Sequence, residues 1–148
     1  MNKKMNNKGF SLVELIIVIA IMVVLIAVLA PQYLKYVEKS RVASDQTTIV
    51  EYIDAMQVLA ADPDVTLDSS KSYTLTNSGK TLSVSADLEA LFTAEKIMDA
   101  AQAKGTTLQS TAYAGATVNI ELTYESNMWV VKNASGATGS VEVSGKIK

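Results

Sequence analysis

A chain with no histidine and no cysteine has few routes to covalent chemistry. Its serine and threonine hydroxyls have no imidazole beside them to activate them, and no thiolate can serve as a nucleophile instead. The commonest general base and metal ligand is absent. Gly105, Gly115, Gly136 and Gly139 fall at turn positions without the spacing of a phosphate-binding loop. Carboxylates remain, and among 15 Asp and Glu side chains any one pair is a weak signal. Asp62, Asp64 and Asp68 are close enough in sequence to gather around calcium. The plainer reading is a solvated helix end and loop. No catalytic set assembles, so no enzymatic activity, cofactor or metal is expected.

Glu14 stands apart, because it is the single charge between Phe10 and Ala30. Every residue from Leu15 to Ala30 is apolar. The 21 residues from Phe10 to Ala30 would make a helix of roughly 31 Å. That length matches the ~30 Å hydrocarbon core of a bilayer. Lys3, Lys4 and Lys8 precede the run and no acid does, which argues that this end stays in the cytoplasm. Lys35, Lys39 and Arg41, just past the other end, weigh against that orientation.

Three plain readings compete. A cleaved secretory signal fits the basic flank, but its apolar region is usually only ~7–15 residues long. Pro31 would also follow directly on a cut after Ala30. An ordinary anchor accounts for the length but not for Glu14. An acid at the bilayer centre costs about 2.5–3.5 kcal/mol, less near a helix start, where the dipole favours it. A buried core helix this apolar is rare in so small a chain.

The segment Lys8-Gly9-Phe10-Ser11-Leu12-Val13-Glu14-Leu15 resembles the processing signature of type IV prepilins. That family has a short basic leader ending in Gly, an N-terminal Phe, Glu four residues on, and a long apolar helix. The resemblance covers about residues 3–40 and is silent over the rest. It implies that a prepilin peptidase cuts between Gly9 and Phe10 and methylates the new Phe10 amine. It also implies that Phe10 and Glu14 serve subunit assembly. Gly9 suits such a cut, since a residue without a side chain lets the backbone enter a narrow protease site. Pro31 removes the amide that would bond to the Ala27 carbonyl, and so kinks or weakens a helix. It reads either as a tolerated membrane-helix proline or, by the resemblance, as a bend that melts locally in the filament.

The leader carries three of the 13 basic residues and none of the acids, leaving a side-chain balance of −5 on the remainder. That excludes a strongly basic nucleic-acid binder as the default. Without cysteine, an exported chain cannot rely on disulfides. By resemblance this is like the cysteine-free major pilins of Gram-positive bacteria, whose heads are held by packing alone.

The expected fold is α+β. Residues 1–9 are the leader, 10–34 the transmembrane or filament-core helix, and 35–148 the amphipathic half of the spine with a globular head. Leu34, Val37, Val42, Ile49, Tyr52, Ile53, Met56, Leu59 and Ala60 recur at mostly three- and four-residue spacing, a stripe laid on a core. Asp45 falls among the residues assigned to the other face. Pro63 ends the helix at Asp62. Ser72 to Ser85 reads as a hairpin around Asn77-Ser78-Gly79-Lys80. Ala86 to Lys104 turns helical, with Thr93 capping a second short helix and Gly105 stopping it. Val118 to Tyr124 alternates as a half-buried strand. Met128 to Val131 follows, then a loop over 133–139 and a last strand over 141–147. Three antiparallel strands are expected to cover the spine. Trp129 is expected in the core, with sugar stacking as the other use of its ring. Tyr33 and Tyr36 are expected at the membrane boundary or a subunit contact.

The resemblance implies a structural subunit of a type IV pilus, for adhesion, twitching or gliding motility, or biofilm formation. Its partners would be copies of itself in a helical filament, the prepilin peptidase, and the assembly platform with its ATPase. It would be held in the cytoplasmic membrane before assembly and be extracellular afterwards, with any receptor unspecified. Two alternatives stay open: a pseudopilin of a type II secretion or DNA-uptake system, and a single-pass surface-anchored binding module.

Overall fold

A computed structural model describes residues 9–115, 117–125 and 128–133. The element order is α1 (Leu12–Ala61), β1 (Tyr73–Ser78), β2 (Thr81–Val84), α2 (Ala86–Ala94), α3 (Ala100–Ala103), β3 (Gly105–Thr107), α4 (Ala112–Gly115), β4 (Asn119–Glu125) and β5 (Met128–Asn133). The fold is α+β. The chain divides into two compact units, Met1–Val37 and Glu38–Lys148.

In the first unit every described residue before Val37 is exposed. α1 is long and apolar enough here to cross a membrane, by length and composition. It starts at Leu12 because Ser11 and Glu14 form the two ends of a capping box, S-x-x-E. The helix continues through Pro31.

The second unit is built on an antiparallel sheet of order β3-β2-β1-β4-β5. Alternation along the strands decides its buried face. Tyr73 and Leu75 of β1 stand opposite Leu122 and Ile120 of β4, and Leu82 and Val131 are buried with them. These join Ile49, Tyr52, Ile53, Met56 and Leu59 of α1, and Leu88 and Phe92 of α2, in one hydrophobic cluster. The stripe read on the second half of the spine is therefore the core face. It is buried from Asp45 onward, while Leu34 is exposed within the first unit.

α1 stops at Ala61, where the Asp62 carboxylate accepts the Asp64 amide at 2.9 Å. The β1–β2 hairpin closes on Gly79-Lys80, with Ser78 opposite Thr81 and Gly79 at φ +58°. A positive φ at the first of two turn residues is where glycine is at no disadvantage.

The head departs from expectation in three places. Among the described residues the sheet has five strands rather than three. Thr93 does not cap a second helix. It sits in the last turn of α2, where its hydroxyl donates back to the Glu89 carbonyl at 2.9 Å, the local bond open to Thr inside a helix. α3 begins instead after Asp99. Gly105 opens β3 rather than only ending a helix, at φ +112°. A Cβ there would lie 2.1 Å from the Leu82 carbonyl oxygen, so the close β2–β3 approach requires glycine. The expected last strand over 141–147 lies outside the described residues.

Candidate functional site

The N-terminal segment brings Gly9, Phe10 and Glu14 within one helical turn of the start of α1. Gly9, Phe10 and Ser11 are non-helical and exposed, so the Gly9–Phe10 bond stands two residues before α1 begins. A Cβ built on Gly9 meets nothing within 4 Å. Nothing among the described residues calls for glycine there.

Glu14 has a partner inside its own chain. The Ser11 amide donates to Glu14 Oε2 at 3.0 Å, and Leu15 N–H bonds to the Ser11 carbonyl at 3.3 Å. The carboxylate thus satisfies one of the amides that every helix start leaves without an intrahelical acceptor. The spacing Ser11…Glu14 carried this signal in the sequence, and it is additional to the family pattern. Beyond it, all large apolar residues from Leu15 to Leu29 are more than half exposed, as are Tyr33 and Tyr36.

A second polar cluster, missed in the sequence, lies where the head meets the spine within the second unit. Asp45 is 3% exposed. Its carboxylate accepts the Gln109 amide at 2.8 and 3.1 Å and the Ser110 amide at 2.7 Å. Two turns earlier, Glu38 accepts the amide and hydroxyl of Thr111. That Thr111 hydroxyl bond, followed by the Thr111 amide, holds the Glu38 carboxyl below its ordinary range, with a smaller contribution from Arg41. Two carboxylates seven residues apart on one helix face therefore hold three successive amides of the segment between β3 and α4. The Tyr113 and Ser110 hydroxyls beside them are buried with no partner among the described residues. Burial first, and the Asp45 charge second, push the Tyr113 phenol up to about 12. Tyr52 ties α1 to α3 by donating to the Gln102 carbonyl at 2.5 Å.

Asp62, Asp64 and Asp68 do not converge. The Asp68 carboxylate is taken by the amide and hydroxyl of Ser70 at 2.9 and 2.7 Å, which hold it below its ordinary range. Among the described residues no group of three or more Asp or Glu is placed to hold a metal ion.

Residues 4–30 match the model of the prokaryotic N-terminal methylation motif. Neither the curated proteins nor the solved structures give a match to the chain. The match takes in residues 4–8, Gly9, Phe10, Glu14 and the apolar run to Ala30. Over these residues the chain is similar to the N-terminus of type IV pilin-like prepilins, whose motif is the one that prepilin peptidase processes.

Proposed function

We propose that this chain is the precursor of a filament subunit of the type IV pilus kind. Prepilin peptidase removes residues 1–9 by cutting between Gly9 and Phe10, and methylates the Phe10 amine. Residues 10–34 then hold the subunit in the cytoplasmic membrane, with the N-terminus inside, until the assembly platform and its ATPase draw it into a helical filament. There the same segment forms the filament core, and residues 35–148 display the head outside the cell. Pro31 supplies a weak point at which the helix adjusts to filament packing. The role is structural rather than enzymatic.

One observation carries this reading. An exposed, non-helical Gly9–Phe10 bond stands two residues before a helix whose first part, Leu12 to Ala30, is apolar on every side and bears a single carboxylate, Glu14. A helix of that kind must be covered by lipid or by copies of itself. Identical head-to-tail contacts that do not close build a filament.

The test is Gly9→Val. With no contact around Gly9 to disturb among the described residues, the variant should insert normally. Intact mass should then show the leader retained, and microscopy should find no surface filaments. Mature protein of normal mass from the variant would refute the cleavage site. Filament length in the wild type separates a pilus from the short filament of a secretion or DNA-uptake machine.

A further inference from the structure

The segment that links β3 to α4 is fastened to α1 by two carboxylates of unequal exposure. Asp45 is buried and takes the Gln109 and Ser110 amides. Glu38, seven residues earlier, has a side chain 32% exposed. It takes the Thr111 amide and, at 2.6 Å, the Thr111 hydroxyl, and the Ala112 amide faces it as well. Asp45 is thus the inner fastening and Glu38 the one that solvent reaches.

The fastened arrangement carries a cost. The Ser110 and Tyr113 hydroxyls are buried with no partner among the described residues. A buried polar group without a hydrogen bond is unfavourable, so water admitted to these two would favour a segment standing off from α1. The bonds to the carboxylates oppose that. The balance between the two arrangements therefore turns on charge at α1. The charged and titratable groups around Glu38 and this segment are Arg41 and Asp45 on α1, Lys80 on the β1–β2 turn and Tyr113 on α4. Acid adds no proton to the Arg41 and Lys80 cations. Tyr113, its phenol pushed up to about 12, stays neutral throughout.

We propose that Glu38 is an acid-operated catch: protonating it frees Thr111 and Ala112 from α1, lets water reach the Ser110 and Tyr113 hydroxyls, and leaves the rest of the head folded. The direction follows from the bonds. The Thr111 hydroxyl, then the Thr111 amide, hold the Glu38 carboxyl below its ordinary range. A carboxyl lowered on folding contributes stability above its unfolded value, about 4.3, and loses it as pH falls through the folded one. The catch is shut at neutral pH and released in acid. The proposal rests on the second unit alone and stands apart from the reading of the N-terminus.

The test is hydrogen exchange of the full-length chain in detergent micelles at pH 7 and pH 3, corrected for intrinsic rates. From pH 7 to pH 3, protection at Thr111 and Ala112 should fall about tenfold or more, while Ile53 and Leu75 in the core keep theirs. Glu38→Gln keeps an acceptor oxygen and cannot titrate, so its protection at these two amides should be the same at both pH values. Glu38→Ala should show the low protection already at pH 7. Three results would each overturn the proposal: equal protection of Thr111 and Ala112 at both pH values in the wild type, loss at pH 3 shared by Ile53 and Leu75, or a pH dependence that survives in Glu38→Gln.

Discussion

At the scale of single residues, two positions in the second unit, Gly105 and Asp45, show how much depends on contacts far away in sequence. Gly105 and Gly79 both have positive φ, but only Gly105 is also crowded by another strand's backbone. Gly79→Ala should therefore show backbone strain alone, about 1–3 kcal/mol. Gly105→Ala should show the same strain plus displacement of β3 from β2, and lower the melting temperature further. Equal losses in thermal melts of the two variants would refute the close approach. Asp45 is the other case. Asp45→Asn replaces one acceptor oxygen by a donor at a site that faces only donors from Gln109 and Ser110. A buried amide left without an acceptor costs about 1–3 kcal/mol, and the loss should appear in the melt together with faster hydrogen exchange at residues 109 and 110. Neither residue's role was legible in the sequence. A glycine that ends a helix and one that lets strands touch look alike. A charge at the stripe's register reads as solvent-facing until its partners, 64 and 65 positions on, are placed beside it.

At the scale of elements, legibility followed the length and strength of the pattern. α1, its stop at Asp62, the first hairpin and β4 all carried sustained periodicity or turn chemistry, and each is present. β3 is three residues, Gly-Thr-Thr, too short to show a period. The region from Ala86 to Lys104 read as helical with a second short helix capped at Thr93, yet Lys96 at φ +53° and the Ile97 amide bonded to the Phe92 carbonyl put the break later, between α2 and α3. The stripe on α1 is the element's main attachment to the core, with Ile49, Ile53, Met56 and Leu59 each fully buried. Ile53→Ala should destabilise the head by about 2–5 kcal/mol through lost burial and the cavity left behind. Val58→Ala, on the exposed side of the same helix, should change stability far less. Similar melting temperatures for the two would mean that this face of α1 is not what the sheet packs on.

At the scale of the whole molecule, the question is what Glu14 would do if the chain is cut after Gly9 as proposed. In the uncut chain it caps its own helix through the Ser11 amide. Cleavage after Gly9 would create a charged amine at Phe10, four residues from Glu14. An incoming subunit whose Phe10 amine met its neighbour's Glu14 would neutralise two charges in an apolar bundle. It would also set the axial register, since a slipped subunit leaves both charges unpaired. One buried charge deprived of its partner costs about 3–5 kcal/mol, against about 0.3–1 kcal/mol for a carboxylate merely complementing its own helix dipole. The capping bond makes the two roles separable. Glutamine serves as well as glutamate at the third position of a capping box, so Glu14→Gln keeps the cap and removes the charge, whereas Glu14→Ala removes both. If pairing between subunits sets assembly, both variants are inserted and cut at Gly9, and both make few filaments. If capping is the whole role, Glu14→Gln makes filaments in normal number and Glu14→Ala alone falls short. Mass of the mature chain establishes cleavage, and filament counts by electron microscopy then decide. Normal filaments from Glu14→Gln would take charge pairing out of the assembly step and leave Glu14 as the cap of α1.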